Sequence, residues 1–386
     1  MRIRMRLPVV KPDEYEIPTE CPHEDCRGTQ FKLHQAGCPK QVMDQGQKEV
    51  TAKRYRCLRC RRTFRVYPTG VSQAQRSNRL KAVGVMLYVL GLSYGGVEDA
   101  LAALGWVGSK TSTYRDVQAA GEAVVRIRQA QSGRQVQVVG TDTTFVRCDG
   151  QQVTIAIGVD ALSQSVLDIQ LVDSESAENL RPFLNELVRT FEVEVILSDD
   201  LDSYKQVCDD LQVKHGICRA HVNRNVARLV EELAEQALKR PDPVPEGLDV
   251  SVDDFLADLE YAQQLVAFRP LTGCDQLQQL HRRYQTVPPP ASGQQATMWY
   301  RLRQALLRWW NHWPRLTLDQ VWRGPDQQRL DGTNNVSERV IGWWVKERYR
   351  TMRAYKRRQS VLNVSRLIAH LGATPDSPAL AQLLTA

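Results

Sequence analysis

The chain has no apolar run of about 18 residues, so no membrane-spanning helix is expected. Its amino terminus, Met1-Arg2-Ile3-Arg4-Met5-Arg6, is basic but lacks the apolar core of an export signal. Only nine cysteines occur in 386 residues, and five of them are scattered, which does not read as a disulfide framework and fits a reducing, cytoplasmic compartment. Aromatic residues make up 7% and charged residues 25%, the range of ordinary soluble globular proteins. The length allows two or three domains.

What the chain has is uneven charge. Residues 1–130 hold 22 Lys and Arg against 12 Asp and Glu; residues 131–330 hold 20 against 28; residues 331–386 hold 9 against 4. Basic flanks around an acidic middle suit a polyanion held against a carboxylate centre. Solvated basic faces would give the same counts.

Four cysteines are paired. Cys21 and Cys26 precede Cys57 and Cys60 by a hairpin-length segment, a pattern that can offer four thiolates to one structural Zn²⁺. His23 and Cys38 are weaker substitutes. Arg54, Arg56, Arg59, Arg61 and Arg62 crowd the second pair, with Tyr55 and Phe64 between and beyond them, as in a nucleic-acid-facing zinc ribbon over residues 1–70.

Residues 71–130 read as three helices with a Gly-rich turn at 91–96, the layout of a helix-turn-helix. Ser112, Thr113, Arg115 and Gln118 are its candidates for a groove-facing surface. A plain helical linker is the competing reading.

Strands at about 136–146, 153–160 and 165–172, a helix at 177–190, a strand at 193–198, a helix at 201–211 and a strand at 213–217 follow. This βββ-α-β-α-β order predicts an α/β, ribonuclease-H-like catalytic domain. Its first and fourth strands should be parallel neighbours, carrying Asp142 and Asp199 to one edge. Asp200 leaves the second position open by one residue. Residues 226–328 read as an all-α insertion, with five tryptophans expected mostly in its core. The catalytic domain would resume over 329–386 with Glu338 and a basic helix bearing Lys346, Arg350 and Arg353. Glu338 also has the spacing of a capping box with Asn335.

Together, the segments around Asp142, Gly158-Val159-Asp160 to Glu178, Ser198-Asp199 with Tyr204, Cys218-x-x-His221 and Thr333-Asn334-Asn335-x-x-Glu338 resemble bacterial insertion-sequence transposases of the DDE type, most of all the mutator-like group. The resemblance implies a catalytic triad of Asp142, Asp199 and Glu338 holding two Mg²⁺ ions, with Mn²⁺ able to substitute. It also implies support from Cys218 and His221. The expected function is binding of an element's terminal inverted repeats, DNA cleavage and strand transfer, with double-stranded DNA as partner and a homodimer or higher oligomer on it. A structure-selective nuclease and a non-cutting DNA-binding regulator are the alternatives.

Overall fold

The computed structural model describes residues 6–130, 135–325, 327–351, 354–373, 380, 383 and 384. The front end carries β1 (Lys11–Tyr15), β2 (Phe31–Gln41), β3 (Glu49–Cys57), β4 (Thr63–Val66) and β5 (Pro68–Thr69). Strands β2, β3 and β4 form an antiparallel sheet, and β1 pairs with β5. The cysteine pairs stand at the open end of this small sheet.

Three helices follow: α1 (Asn78–Val89), α2 (Tyr94–Ala103) and α3 (Lys110–Ala130). Ser77 and Ser93 cap the first two through their side chains. Ser109 accepts from the Ser112 N–H at the start of the third.

The central sheet contains β6 (Val138–Cys148), β7 (Gln151–Asp160), β8 (Val166–Val172), β9 (Val195–Ser198) and β10 (Lys214–Ile217), in the order β10-β9-β6-β7-β8. The first three strands are an antiparallel meander, while β9 joins β6 and β10 in parallel. The first and fourth strands of the domain are therefore central parallel neighbours, as the strand order predicts. One face, with Val139, Ala156 and Ile196, packs on α4 (Ala177–Phe191) and α5 (Asp202–Asp210). The other, with Ile155, Ile157 and Ile169, packs on α3 and α14 (Arg358–Ala373). The alternation of β7 thus feeds two cores.

This second core corrects two expectations. Residues 71–130 close no core of their own, because Val117, Ala120 and Val124 share one with Val364 and Leu367. Of the four proposed groove-facing residues of α3, one is buried, two are half-buried and one is exposed. Thr113 is fully buried, and Gln118 accepts a hydrogen bond from Asn363 at 3.1 Å. Ser112 is engaged with Ser109, and only Arg115 of the four is exposed. α14 engages Gln118 through Asn363, while Thr113 packs beside Gly84 of α1.

Between β10 and Asn335 the described residues hold helices and no strand: α6 (Arg219–Lys239), α7 (Val252–Phe268), α8 (Gly273–Arg283), α9 (Met298–Asn311), α10 (Trp313–Leu316) and α11 (Leu318–Val321). Their core gathers Phe255, Leu259, Tyr284, Leu302 and three tryptophans, Trp299, Trp309 and Trp313. The chain then returns through α12 (Asn335–Val340), a π-helical stretch (Ile341–Lys346) and α13 (Glu347–Arg350) before α14. The basic segment is therefore several short pieces, not one helix. Lys346 is exposed; the Arg350 side chain and Arg353 lie outside the described residues. No helix among the described residues is long and apolar enough to cross a membrane.

Candidate active site and cysteine cluster

The pairing of β6 with β9 ends at Gly140 opposite Leu197. Asp142 and Asp199 each lie two residues beyond that pair, so the parallel register itself sets them side by side at the point where the strands part. Asp142 accepts the Thr143 N–H at 2.7 Å, and Asp199 accepts the Leu201 N–H at 3.3 Å. Among the described residues neither carboxylate has a Lys or Arg partner. Asp200 is different: Lys205 lies at 2.7 Å and Arg308 at 3.3 Å, so its charge is already matched.

Helix α12 brings the third carboxylate. It can approach β6 because residue 140 is glycine: a Cβ there would stand 2.5 Å from Asn334 Oδ1 and 2.6 Å from Ser337 Oγ. Asn334 donates its side-chain amide to the Thr141 carbonyl at 2.8 Å and its backbone N–H to Cys218 Sγ at 3.2 Å. The N-cap of α12 makes no side-chain capping bond. Glu338 instead reaches His221, with Oε1 3.4 Å from Nδ1. The capping-box reading of Glu338 is therefore set aside.

Cys218, His221 and Glu338 present ligand-type atoms within 4.8 Å of one another. Burial works to raise the Cys218 thiol, but hydrogen bonds from His221 and the Asn334 N–H outweigh it and hold the thiol below its ordinary range. His221 is raised by that same bond to Cys218, then by the charges of Glu338 and Asp142.

The carboxylates repel. Burial, reinforced by Asp199 and Glu338, pushes Asp142 up to about 6. Burial likewise raises Asp199, with Glu175 and Asp200 adding to it. Two further side chains belong to this neighbourhood, and no local pattern in the sequence marks them. Glu175, at the turn between β8 and α4, accepts a hydrogen bond from Thr143 Oγ1. Tyr204 is fully buried beneath the pair; burial and the charges of Asp142 and Asp199 keep its hydroxyl protonated. Both lie within the segments that carry the family resemblance, and only the fold brings them to this edge. A cleft of about 980 Å³ opens from Asp199 and His221 between α6 and α9, with Arg228, Tyr300, Arg301 and Arg308 on its walls.

At the front end Cys21, Cys26, Cys57 and Cys60 converge, all four sulfurs within 4.8 Å. Two Sγ···Sγ distances are 3.7 Å (Cys21 to Cys60) and 3.8 Å (Cys26 to Cys57). A tetrahedron with Zn–S bonds of about 2.3 Å has edges of about 3.8 Å, so the spacing suits such an ion. Gly28 is required beside it, since a Cβ there would lie 2.8 Å from Cys57 Sγ. His23 and Cys38 are not in the cluster. Arg56, Arg59, Arg61 and Arg62 are exposed around it and Arg54 is half-buried; the Cys60 thiolate raises the Arg62 guanidinium.

A sheet of this order with carboxylates at the parting of its parallel strands belongs to the α/β class in which metal-assisted phosphoryl transfer is common. Two family models match the chain: Transposase, Mutator family, over residues 62–240, and Transposase IS66 family, over residues 172–355. Both are consistent with a DDE-type insertion-sequence transposase. Among curated proteins no match is found. Solved structures similar to part of the chain include the HTLV-2 integrase catalytic core domain with magnesium, at 15% identity over 35% of this chain and 87% of that one, TM-score 0.20. The BIV integrase catalytic core domain is 14% identical over 50% and 90%, TM-score 0.19.

Proposed function

We propose that this chain is a DNA transposase that binds the terminal inverted repeats of its element and catalyses Mg²⁺-dependent DNA cleavage and strand transfer. The observation that supports this most is the parallel register that carries Asp142 and Asp199 to one sheet edge, neither with a Lys or Arg partner among the described residues, together with the charge of Glu338 acting on Asp142. The donor set fits Mg²⁺, because it is made of hard carboxylate oxygens whose mutual repulsion a cation relieves. When bound to these three residues, two Mg²⁺ ions supply Lewis-acid stabilisation of the attacking and leaving oxygens at a phosphodiester.

The chain's own groups hold that centre in place. Asn334 ties α12 to β6, and Cys218 and His221, whose ligand-type atoms lie within 4.8 Å of a Glu338 oxygen, are read as holding Glu338 at this centre. Cys218 and His221 are thus read as positioning residues. Glu175 is a fourth carboxylate at the rim. No protein nucleophile is needed, since a water or a 3′-hydroxyl attacks. The four-cysteine cluster is read as a structural Zn²⁺ ribbon whose arginines, with Arg115 and Lys346, meet DNA phosphates. Helices α6–α11 are read as an all-α insertion, and two or more chains would assemble on paired ends.

The test is cleavage and joining of a duplex carrying the element's termini. Nicking that needs Mg²⁺ favours an enzyme over a non-cutting regulator, and joining of the cut end to a target favours a transposase over a nuclease. Absence of any nicking by the full chain on that DNA would overturn the reading.

A further inference from the structure

A second cavity lies away from the carboxylates. It holds about 700 Å³ between α1–α3 and the segment leading into α14. Its floor and walls are aromatic: Tyr88 and Tyr355 are buried, Tyr94 and Tyr114 half-buried. Tyr94 stacks on Tyr88 at 4.3 Å and meets Tyr114 edge-on at 5.5 Å. The Tyr114 hydroxyl is bonded to Ser360 at 3.1 Å, which locks the wall to α14. Arg348 backs Tyr88 from 4.3 Å.

The rim is cationic. Lys110 and Arg115 come from the start of α3, and Lys356 and Arg357 from 240 residues later. All four are exposed, and among the described residues none is in an ion pair. Glu98 accepts the Lys110 backbone N–H, and Asp116, beside Arg115, is paired with Arg76. The fold thus joins two basic regions that are far apart in the chain around one aromatic hollow.

We propose that this hollow takes one unpaired nucleotide of a bound DNA strand, with its base against Tyr94 and Tyr114 and its flanking phosphates on the four cations. Aromatic faces accept any base, while cations neutralise phosphates, and a duplex is too wide to enter a hollow of this volume. Tyr355 pairs with the end of β6 at Cys148, six residues from Asp142. At about 3.3 Å per residue, the Tyr355 side of the hollow lies about 20 Å along that strand from Asp142. This rests on the DNA-handling reading above.

The test compares full-length protein on a perfect duplex of the element's terminus and on the same duplex with one bulged 2-aminopurine. The bulged duplex should bind about tenfold tighter, with a change in fluorescence on binding. Tyr114→Leu should erase that preference and leave perfect-duplex affinity unchanged. Because that variant touches the core, Lys356→Gln with Arg357→Gln serves as a surface control. It should weaken bulged-duplex binding and flatten its salt dependence by about two charges' worth of slope. Saturation by free dAMP with the same Tyr114 dependence, but no bulge preference, would overturn the strand reading in favour of a free nucleotide. Tight perfect-duplex binding with no bulge preference overturns this proposal alone; no binding to either DNA overturns it together with the proposed function.

Discussion

Replacing Asp142 by Asn should stabilise the protein in the absence of divalent ions, even though it should abolish cleavage. Asp142 is raised from 3.8 to about 6 by burial first and by Asp199 and Glu338 next. A carboxyl raised in the folded state binds its proton more tightly there than in the unfolded chain. Its ionisation therefore costs stability above the folded value and nothing well below the unfolded one. At 1.36 kcal/mol per unit the cost is about 3 kcal/mol at pH 7.5, about half that at pH 5, and near zero below about pH 4. Asn keeps the acceptor for the Thr143 N–H and removes the charge. Calorimetric melting in EDTA at pH 7.5 should give a midpoint several degrees higher for Asp142→Asn than for the parent, and the gap should close by pH 4. Added Mg²⁺ should raise the parent more than the variant. A variant that melts lower than the parent at pH 7.5 in EDTA would refute the electrostatic account.

Other expectations follow from other parts of the structure. The purified protein should contain about one zinc, and Cys57→Ser with Cys60→Ser should lose it on elemental analysis. Gly140→Ala should cost about 1–3 kcal/mol and, by lifting α12 off β6, remove most cleavage activity while leaving DNA binding intact in a gel-shift assay. His215 is held neutral at about 3 by burial and by Arg315, so its contribution is complete above about pH 6.5 and is lost as the pH falls toward 3. His215→Asn should accordingly flatten the acid limb of a stability–pH curve between pH 6 and 4 relative to the parent. A fragment ending at residue 130 should not melt cooperatively, because it leaves Val117, Ala120 and Val124 without α14.

The central sheet was legible because alternation and short turns mark its strands within a few residues, and the βββ-α-β-α-β order leaves few topologies. The side-by-side placement of Asp142 and Asp199 follows from that order. The choice between Asp199 and Asp200 was not legible, since neither alternation nor spacing separates adjacent residues at a strand end. It takes Lys205 and Arg308, the latter 108 positions away, to show that Asp200 is already paired. Glu338 was ambiguous for a local reason: its spacing from Asn335 is that of a cap, and only Gly140 and Asn334 show that the helix is seated for another purpose. The helix-turn-helix surface misled because α3 has the polar residues of an exposed face. Its partner, α14, begins more than 200 residues later, where no periodicity within α3 could announce it. The aromatic hollow is invisible in sequence for the same reason.

The most direct measurement is the cleavage rate of a duplex carrying the element's termini, in Mg²⁺ and in EDTA, for the parent and Glu338→Gln. The parent should cut only with Mg²⁺ or Mn²⁺. Glu338→Gln should bind the duplex normally and cut at least about a hundredfold more slowly. Undiminished cleavage by Glu338→Gln, or cleavage by the parent in EDTA, would contradict a three-carboxylate metal centre.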